Sequence, residues 1–366
     1  MAAESHLKCT DSGRNYGIDT LRIISMLFVI VLHMTNPGMG MKGANYELLS
    51  FPYWFQNFLR SFCTVAVNCF VLISGYYMSV QAVKPKKLFR LWIQVETYSV
   101  GIYLLCCFFH PAVSFSWKSL IRYAFPILSY QYWFFTMYFL LMVISPLLNT
   151  IIKSLEQNEY RKYLIVLIAV FAIIPTINIF GDQFGTHYGI SLIWFAVLYL
   201  IAGYIRKYSQ PQRHYGKLYF CVCIILLLLK VASDILATRL NLAAVFGNLI
   251  FQYNSVFVSA ASISLFAFFL NLRPKFNFVS RKTISFLSSL SFGIYLFHEH
   301  NELRDILWSE LVHLTDYIET PVRFLARAGI ALAAIAVVGL LLEFIRSTIT
   351  NYICKLGNLI IGRLNA

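Results

Sequence analysis

Gly17-Ile-Asp-Thr-Leu-Arg-Ile-Ile-Ser-Met-Leu-Phe-Val-Ile-Val-Leu-His-Met-Thr35 is the stretch that decides the fold. It is almost wholly apolar, yet it holds Asp19, Arg22 and His33. About 20 apolar residues suffice for a helix to cross a hydrocarbon layer roughly 30 Å thick. From Arg22 to His33 the chain takes eleven steps. At roughly 100° and 1.5 Å per residue these make about three turns plus 20°, so the two side chains share a helix face and stand about 16 Å apart along it. Hydrocarbon penalises a buried charge by roughly 2.5–3.5 kcal/mol on insertion scales, which makes an intramembrane cation and imidazole on one face candidates for function, lining a common water-accessible cavity.

The remainder of the chain has the same character. Of 366 residues, 59% are hydrophobic and 13% are charged, against roughly 25% charged in soluble domains. Apolar runs recur along the whole length. The expected fold class is all-α, a polytopic membrane helical bundle with no separate soluble domain. The formal net charge of +14 is concentrated in short loops between apolar runs. That distribution reports membrane orientation and gives no reason to expect nucleic acid as a partner. Cys63, Cys69, Cys106, Cys107, Cys221 and Cys223 lie within apolar runs without a CxxC pair and read as buried free thiols.

About ten helical spans are expected, with cores near 17–36, 61–79, 89–110, 130–151, 163–180, 188–205, 217–237, 247–270, 284–299 and 322–346. A short interfacial helix is expected over 119–128. Residues 1–16 form a polar cytoplasmic segment, and the first span reads as an uncleaved anchor because no small-residue cleavage pattern follows it. The tail 347–366 mixes Ile353, Leu356, Leu359 and Ile360 with Lys355 and Arg363, as expected of a surface-lying amphipathic helix. With the N-terminus inside, twenty Lys and Arg residues fall in inner segments and six in outer ones. This asymmetry places both termini in the cytoplasm, Arg22 near the inner face and His33 near the outer one.

Several motifs, in order, carry a resemblance. The first span opens with Asp19-x-x-Arg22 and closes with the Arg-x10-His pattern at His33. Phe70-Val-Leu-Ile-Ser-Gly-Tyr76 ends the second span, Tyr132-Trp133-Phe opens the fourth, and Ser291-Phe-Gly-Ile-Tyr295-Leu-Phe-His298 ends the ninth. From about 15 to 346 the chain resembles the acyltransferase-3 family of membrane-bound O-acyltransferases, many of whose members O-acetylate bacterial polysaccharides. The resemblance implies an Arg-x-x-Arg motif in the first cytoplasmic loop, where Lys87-x-x-Arg90 stands. Lysine keeps the charge but lacks the bidentate fork of arginine. It also implies a bacterial cytoplasmic membrane and acyl-coenzyme A, with acetyl-coenzyme A the first expectation, as co-substrate.

Chemistry points the same way. Acyl transfer to a hydroxyl needs a base, and imidazole, with an unperturbed pKa of about 6.5, suits that task. It also needs positive charge near the developing oxyanion or the donor phosphates. His33 is therefore the expected base and Arg22 the cation, with Lys87, Arg90, Asp19, Tyr295, His298 and Glu299 as substrate-binding candidates. His298 and His300 are two residues apart, about 200° around a helix, so they cannot both serve one metal; no metal is expected. Glu299 can orient an imidazole. Ser74-Gly75-Tyr76 reads as a site of close helix packing.

Other intramembrane charges have structural readings. Lys230 and Asp234 are four apart and face each other. Arg323 and Arg327 are expected to pair with carboxylates of the preceding outer loop, among them Glu302, Asp305, Glu310, Asp316 and Glu319, and Glu96 to meet Arg22 or line the cavity. The expected activity is transfer of an acetyl or other short acyl group from acyl-coenzyme A to a hydroxyl of a cell-surface polysaccharide or its lipid-linked precursor. Recognition would fall to the outer loops 38–60, 111–129 and 300–321. The alternative is a transporter or substrate-binding membrane module without chemistry, weakened by the lack of a paired half-chain repeat.

Overall fold

The computed structural model describes residues 14–36, 40–41, 46–81, 83–182, 184–209, 214–241, 245–272, 274 and 276–364, the side chains only to residue 355. Most of the N-terminal segment 1–16, together with Lys42, Arg213, Arg273 and Lys275, lies outside the described residues. So do the side chains of Leu356, Leu359, Ile360 and Arg363.

The described chain is helical, with no strand. Its α-helices are α1 (Tyr16–Thr35), α2 (Phe51–Cys63), α3 (Ala66–Met78), α4 (Pro85–Phe109), α5 (Trp117–Ala124), α6 (Trp133–Ser154), α7 (Gln157–Ile168) and α8 (Ile174–Ile177). They continue as α9 (Leu192–Tyr208), α10 (Tyr215–Leu240), α11 (Val245–Leu249), α12 (Val256–Asn271), α13 (Phe278–His298), α14 (Asn301–Asp305) and α15 (Pro321–Leu364). Polar residues mark the starts: the side chains of Asn15, Ser50, Ser191, Ser255 and Asn277 accept backbone N–H groups of α1, α2, α9, α12 and α13, capping donors that lipid would leave unsatisfied.

Among the described residues, seven helical runs are long and apolar enough to cross a membrane, which makes the protein multi-pass. Helices also occupy the other three expected stretches, but with differences. The stretch 188–205 becomes helical only at Leu192, and 247–270 splits into α11 and the sixteen-residue α12. The interfacial helix expected over 119–128 is α5, Trp117–Ala124.

Two boundaries differ more. α2 and α3 form one apolar run, Phe51–Met78, so half of the expected outer loop 38–60 is helix. The tail does not separate from the last span: α15 is one continuous helix of 44 residues. At about 1.5 Å per residue it is roughly 66 Å long, twice the hydrocarbon thickness, so its end projects beyond the apolar layer. No helix breaker lies between Arg346 and Ile353, and the helix simply propagates.

α1 is central, packed against α2, α3, α12 and α13, while α3 pairs with α9, α10 with α12, and α13 with α15. Gly75 lets α3 and α9 approach: a Cβ there would lie 3.0 Å from both the Tyr199 Cα and the Ala202 Cβ. Pro146 interrupts α6 and forfeits a bond to the Met142 carbonyl, which instead accepts the Ser145 hydroxyl at 2.8 Å. The expected Lys230–Asp234 pair forms at 2.8 Å, and the Tyr53 hydroxyl donates to the same carboxylate at 2.8 Å. Arg327 does not pair with a carboxylate. Its guanidinium donates to the Val312 and Leu311 carbonyls, which a π-helical turn leaves available just before α15. Cys63, Cys69, Cys106 and Cys223 are buried free thiols as expected, but Cys221 is exposed on the outer face of α10.

Candidate functional site

His33, in the last turn of α1, meets His298, at the end of α13. His33 Nδ1 lies 2.9 Å from His298 Nε2 and 3.1 Å from Glu299 Oε2. His298 is fully buried, and its Nδ1 contacts the Ile294 carbonyl at 2.5 Å. A carbonyl only accepts, so that nitrogen carries the proton and Nε2 bears the lone pair. The proton between the imidazoles then belongs to His33 Nδ1. By elimination, His33 Nε2 is the unprotonated nitrogen, the form required of a base.

Glu299 is also buried, and beyond the 3.1 Å approach to His33 Nδ1 its Oε2 has no partner among the described residues. It lies beside His33 as a carboxylate poised to stabilise an imidazolium. Its other oxygen, Oε1, accepts from Arg304 at 3.3 Å. His300 turns away, though not by the roughly 200° of a regular helix: α13 ends at His298, and His300 is the extended cap of α14. Its Nε2 donates to the Ser99 carbonyl at 2.9 Å, and its ring stacks on Tyr123, tying the outer loop to α4.

Spacing along the chain did not reveal that His33, His298 and Glu299 together bring three ligand atoms within 4.8 Å of one another. Such a set can hold a metal. The 2.9 Å and 3.1 Å separations match hydrogen bonding, whereas a tetrahedral zinc with bonds near 2.0 Å needs ligand atoms about 3.3 Å apart.

Two cavities share His33, Leu32, Trp133 and Tyr253 in their walls. The larger, of about 380 Å³, is polar and is also bounded by Asn36, Arg60, Thr64, Ile190, Phe251, Gln252, Glu299 and Arg304. The smaller, of about 20 Å³, is an apolar neck that descends from His33 past Val29 to Met26, with Phe134, Phe292 and Tyr295 opposite. Met26, Val29 and His33 belong to the face shared with Arg22, so the face inferred from the spacing exists. Tyr295 is buried beside the neck, and its hydroxyl proton has no acceptor.

Arg22 is not in the cavity with His33. Its guanidinium pairs with Asp19 at 3.2 Å and lies over the Tyr77 ring, below the neck. Arg22 lines neither of the two cavities that His33 lines, and the apolar side chains Met26, Val29, Val67 and Phe70 line the smaller one. Asp19 is buried and fully engaged, accepting from Arg14 at 2.6 Å, Ser288 at 3.1 Å and Arg22. It positions Arg22 and docks α1 on α13, with no oxygen left to face a substrate. Lys87 and Arg90 are exposed at the start of α4, and Lys87 is near enough to Arg22 for the like charges to repel. Arg206 adds a third cation, donating to the Tyr76 hydroxyl at 2.8 Å. Glu96 does not meet Arg22, and its Oε2 is buried without a hydrogen bond.

Arg60, Arg206, Gln252, Tyr253 and Arg304 were not legible as site residues. Each looks like an ordinary loop or helix residue until distant elements converge. Arg304 alone left a signal, standing five positions after Glu299.

Compared with known proteins, residues 15–345 match the family model of an acyltransferase domain, Acyl_transf_3. No curated protein and no solved structure matches the chain.

Proposed function

We infer that this chain, which belongs to the acyltransferase-3 family over nearly its whole length, is a membrane O-acyltransferase that moves a short acyl group from acyl-coenzyme A to a carbohydrate hydroxyl. The observation that carries the reading is the His33 imidazole, hydrogen-bonded to His298 through Nδ1 and standing in the wall of a roomy cavity with polar and aromatic lining.

Donor and acceptor enter from opposite ends. Arg22, Lys87 and Arg206 gather at the Tyr76–Tyr77 end, where point charges suit the phosphates of coenzyme A. The cavity beyond His33 has aromatic walls in Trp133, Phe251 and Tyr253 and amides in Asn36 and Gln252, a combination suited to the faces and hydroxyls of a sugar. Orientation from the loop charges puts the donor end in the cytoplasm and the acceptor end outside.

In the transfer, His33 Nε2 takes the proton of the acceptor hydroxyl while its oxygen attacks the thioester carbonyl. The carbonyl oxygen becomes an oxyanion, within reach of a donor such as the Tyr295 hydroxyl. The oxyanion collapses, the C–S bond breaks, and the proton on His33 passes to the departing thiolate. The product is an ester, and free coenzyme A leaves. Glu299 offsets the transient imidazolium charge, as a third group does for a histidine base in other acyl transferases. At about 20 Å³ the neck holds no acyl chain in the present state, so Met26, Phe292 or their neighbours must move to admit the pantetheine arm.

The test is transfer of labelled acetyl from acetyl-coenzyme A to a panel of sugars by the purified protein in liposomes. Transfer that disappears in His33→Ala, with the fold retained, supports the reading. Solute uptake without transfer, or transfer undiminished in His33→Ala, removes it.

A further inference from the structure

Arg60 sits in the last turn of α2, in the wall of the large cavity that also holds His33. Its one described interaction is a ring contact: the guanidinium lies 5.0 Å from the centre of the Phe251 ring. Among the described residues no carboxylate is paired with it and no acceptor meets its five N–H groups. The nearest carboxylate whose field reaches it is Asp234, which is already engaged by Lys230 and Tyr53. The contrast within the cavity is informative. Arg304, the second cation in the wall, is neutralised by Glu299 and lies 3.9 Å from Asp305.

Arg60 is half-buried in the wall of that cavity, and a guanidinium without a carboxylate in such a partly desolvated site is a ready partner for an anion. Where the pairing anion is not part of the protein, the ligand is the remaining source. Around Arg60 the cavity offers Thr64, Asn36 and Gln252 as further polar groups and Phe251 as an apolar wall. An oxyanion held by the planar fork of Arg60 would hold the acceptor at the site that contains His33.

We propose that the large cavity takes a sugar acceptor bearing an oxyanion, a carboxylate or phosphate, and that Arg60 pairs with it. The proposal deepens the acyl-transfer reading and rests on it. It makes the preference for charged over neutral acceptors a property of one residue.

The experiment compares glucuronic acid and glucose 1-phosphate with glucose as acceptors, in wild type, Arg60→Lys and Arg60→Gln. Expected is a preference for the charged sugars, measured as the ratio of kcat/KM values. In Arg60→Gln that ratio falls about tenfold or more, through KM for the charged acceptor, with partial retention in Arg60→Lys. Glucuronic acid binding, followed by calorimetry without acyl-coenzyme A, weakens in parallel. Equal use of charged and neutral sugars by wild type, or an unchanged ratio in Arg60→Gln, overturns the proposal while leaving acyl transfer standing. Absence of transfer to every sugar defeats the acyl-transfer reading instead, and calorimetry then decides on Arg60 alone. Nanodiscs of phosphatidylcholine and of phosphatidylglycerol separate the other source of an oxyanion. Loss of glucuronic acid binding only in phosphatidylglycerol would assign Arg60 to a lipid headgroup and overturn the acceptor assignment.

Discussion

The Nε2 lone pair of His298 receives the Nδ1 proton of His33 across 2.9 Å, so a residue of α13 selects which nitrogen of an α1 imidazole is free to act. Replacing His298 by Ala leaves His33 free to adopt either tautomer and to rotate. The expected result is a fall in kcat of about tenfold to a hundredfold, with KM for acyl-coenzyme A little changed, smaller than the loss on removing the base itself. Steady-state kinetics of His298→Ala beside His33→Ala checks this. A selective rise in KM would assign His298 to substrate binding.

Whether the His33–His298–Glu299 cluster works as a hydrogen-bonded base or a metal site is decided by chelation. With the separations found here, activity is expected to survive dialysis against EDTA and phenanthroline. Activity lost on chelation and restored by zinc would assign the three side chains as ligands. Metal analysis of the purified protein gives an independent readout.

The Lys230–Asp234 pair is buried and shares Tyr53. Lys230→Met strands the carboxylate and is expected to lower stability by about 3–5 kcal/mol, whereas Lys230→Met with Asp234→Leu recovers much of it. Thermal unfolding in detergent, with single and double variants side by side, measures the coupling. Additive losses would show that the two side chains do not act as a pair.

Asp182 lies outside the spans and folds the loop that carries Ile190 into the cavity wall. Burial pushes its carboxyl up, but the Thr186 hydroxyl and the backbone N–H groups of Thr186, His187 and Phe184 outweigh this and hold it below the usual carboxylate value. The loop is tied to the site through Asn254, which donates to Thr186 at 3.1 Å, and through the Tyr253 N–H, which donates to the Tyr188 carbonyl at 3.2 Å. A depressed folded-state pKa gives stability that is complete above the unfolded value of about 4 and is lost as pH falls through the folded one. The stability gap between wild type and Asp182→Asn is therefore expected to be constant from neutrality to about pH 5 and to close below about pH 4. Unfolding midpoints across that range test it; a gap independent of pH would mean that the charge contributes nothing.

Local relationships were readable from the sequence because helix geometry is periodic. The shared face of Arg22 and His33 and the Lys230–Asp234 pair both follow from about 100° per residue. What failed was whatever depends on which helices meet. The contact between His33 and His298 spans 265 positions, and nothing in either neighbourhood names the other. Arg327 found carbonyls instead of carboxylates because a π-helical turn exposes them, a backbone event with no compositional mark. Arg22 and His33 line no common described cavity for a related reason. A shared helix face shows where side chains point, but Phe134, Phe292 and Tyr295 come from α6 and α13 to close the space in front of that face. Arg60 was passed over as an outer-loop charge because α2 was not recognised as helix.

The constriction below His33 also has an electrical consequence. In the closed state its lining of Met26, Val29, Val67 and Phe70 offers a hydrated ion no polar group to replace its water, so ion entry is disfavoured. For the transfer proposed above, such a seal would let the two ends be occupied without a leak of ions between them.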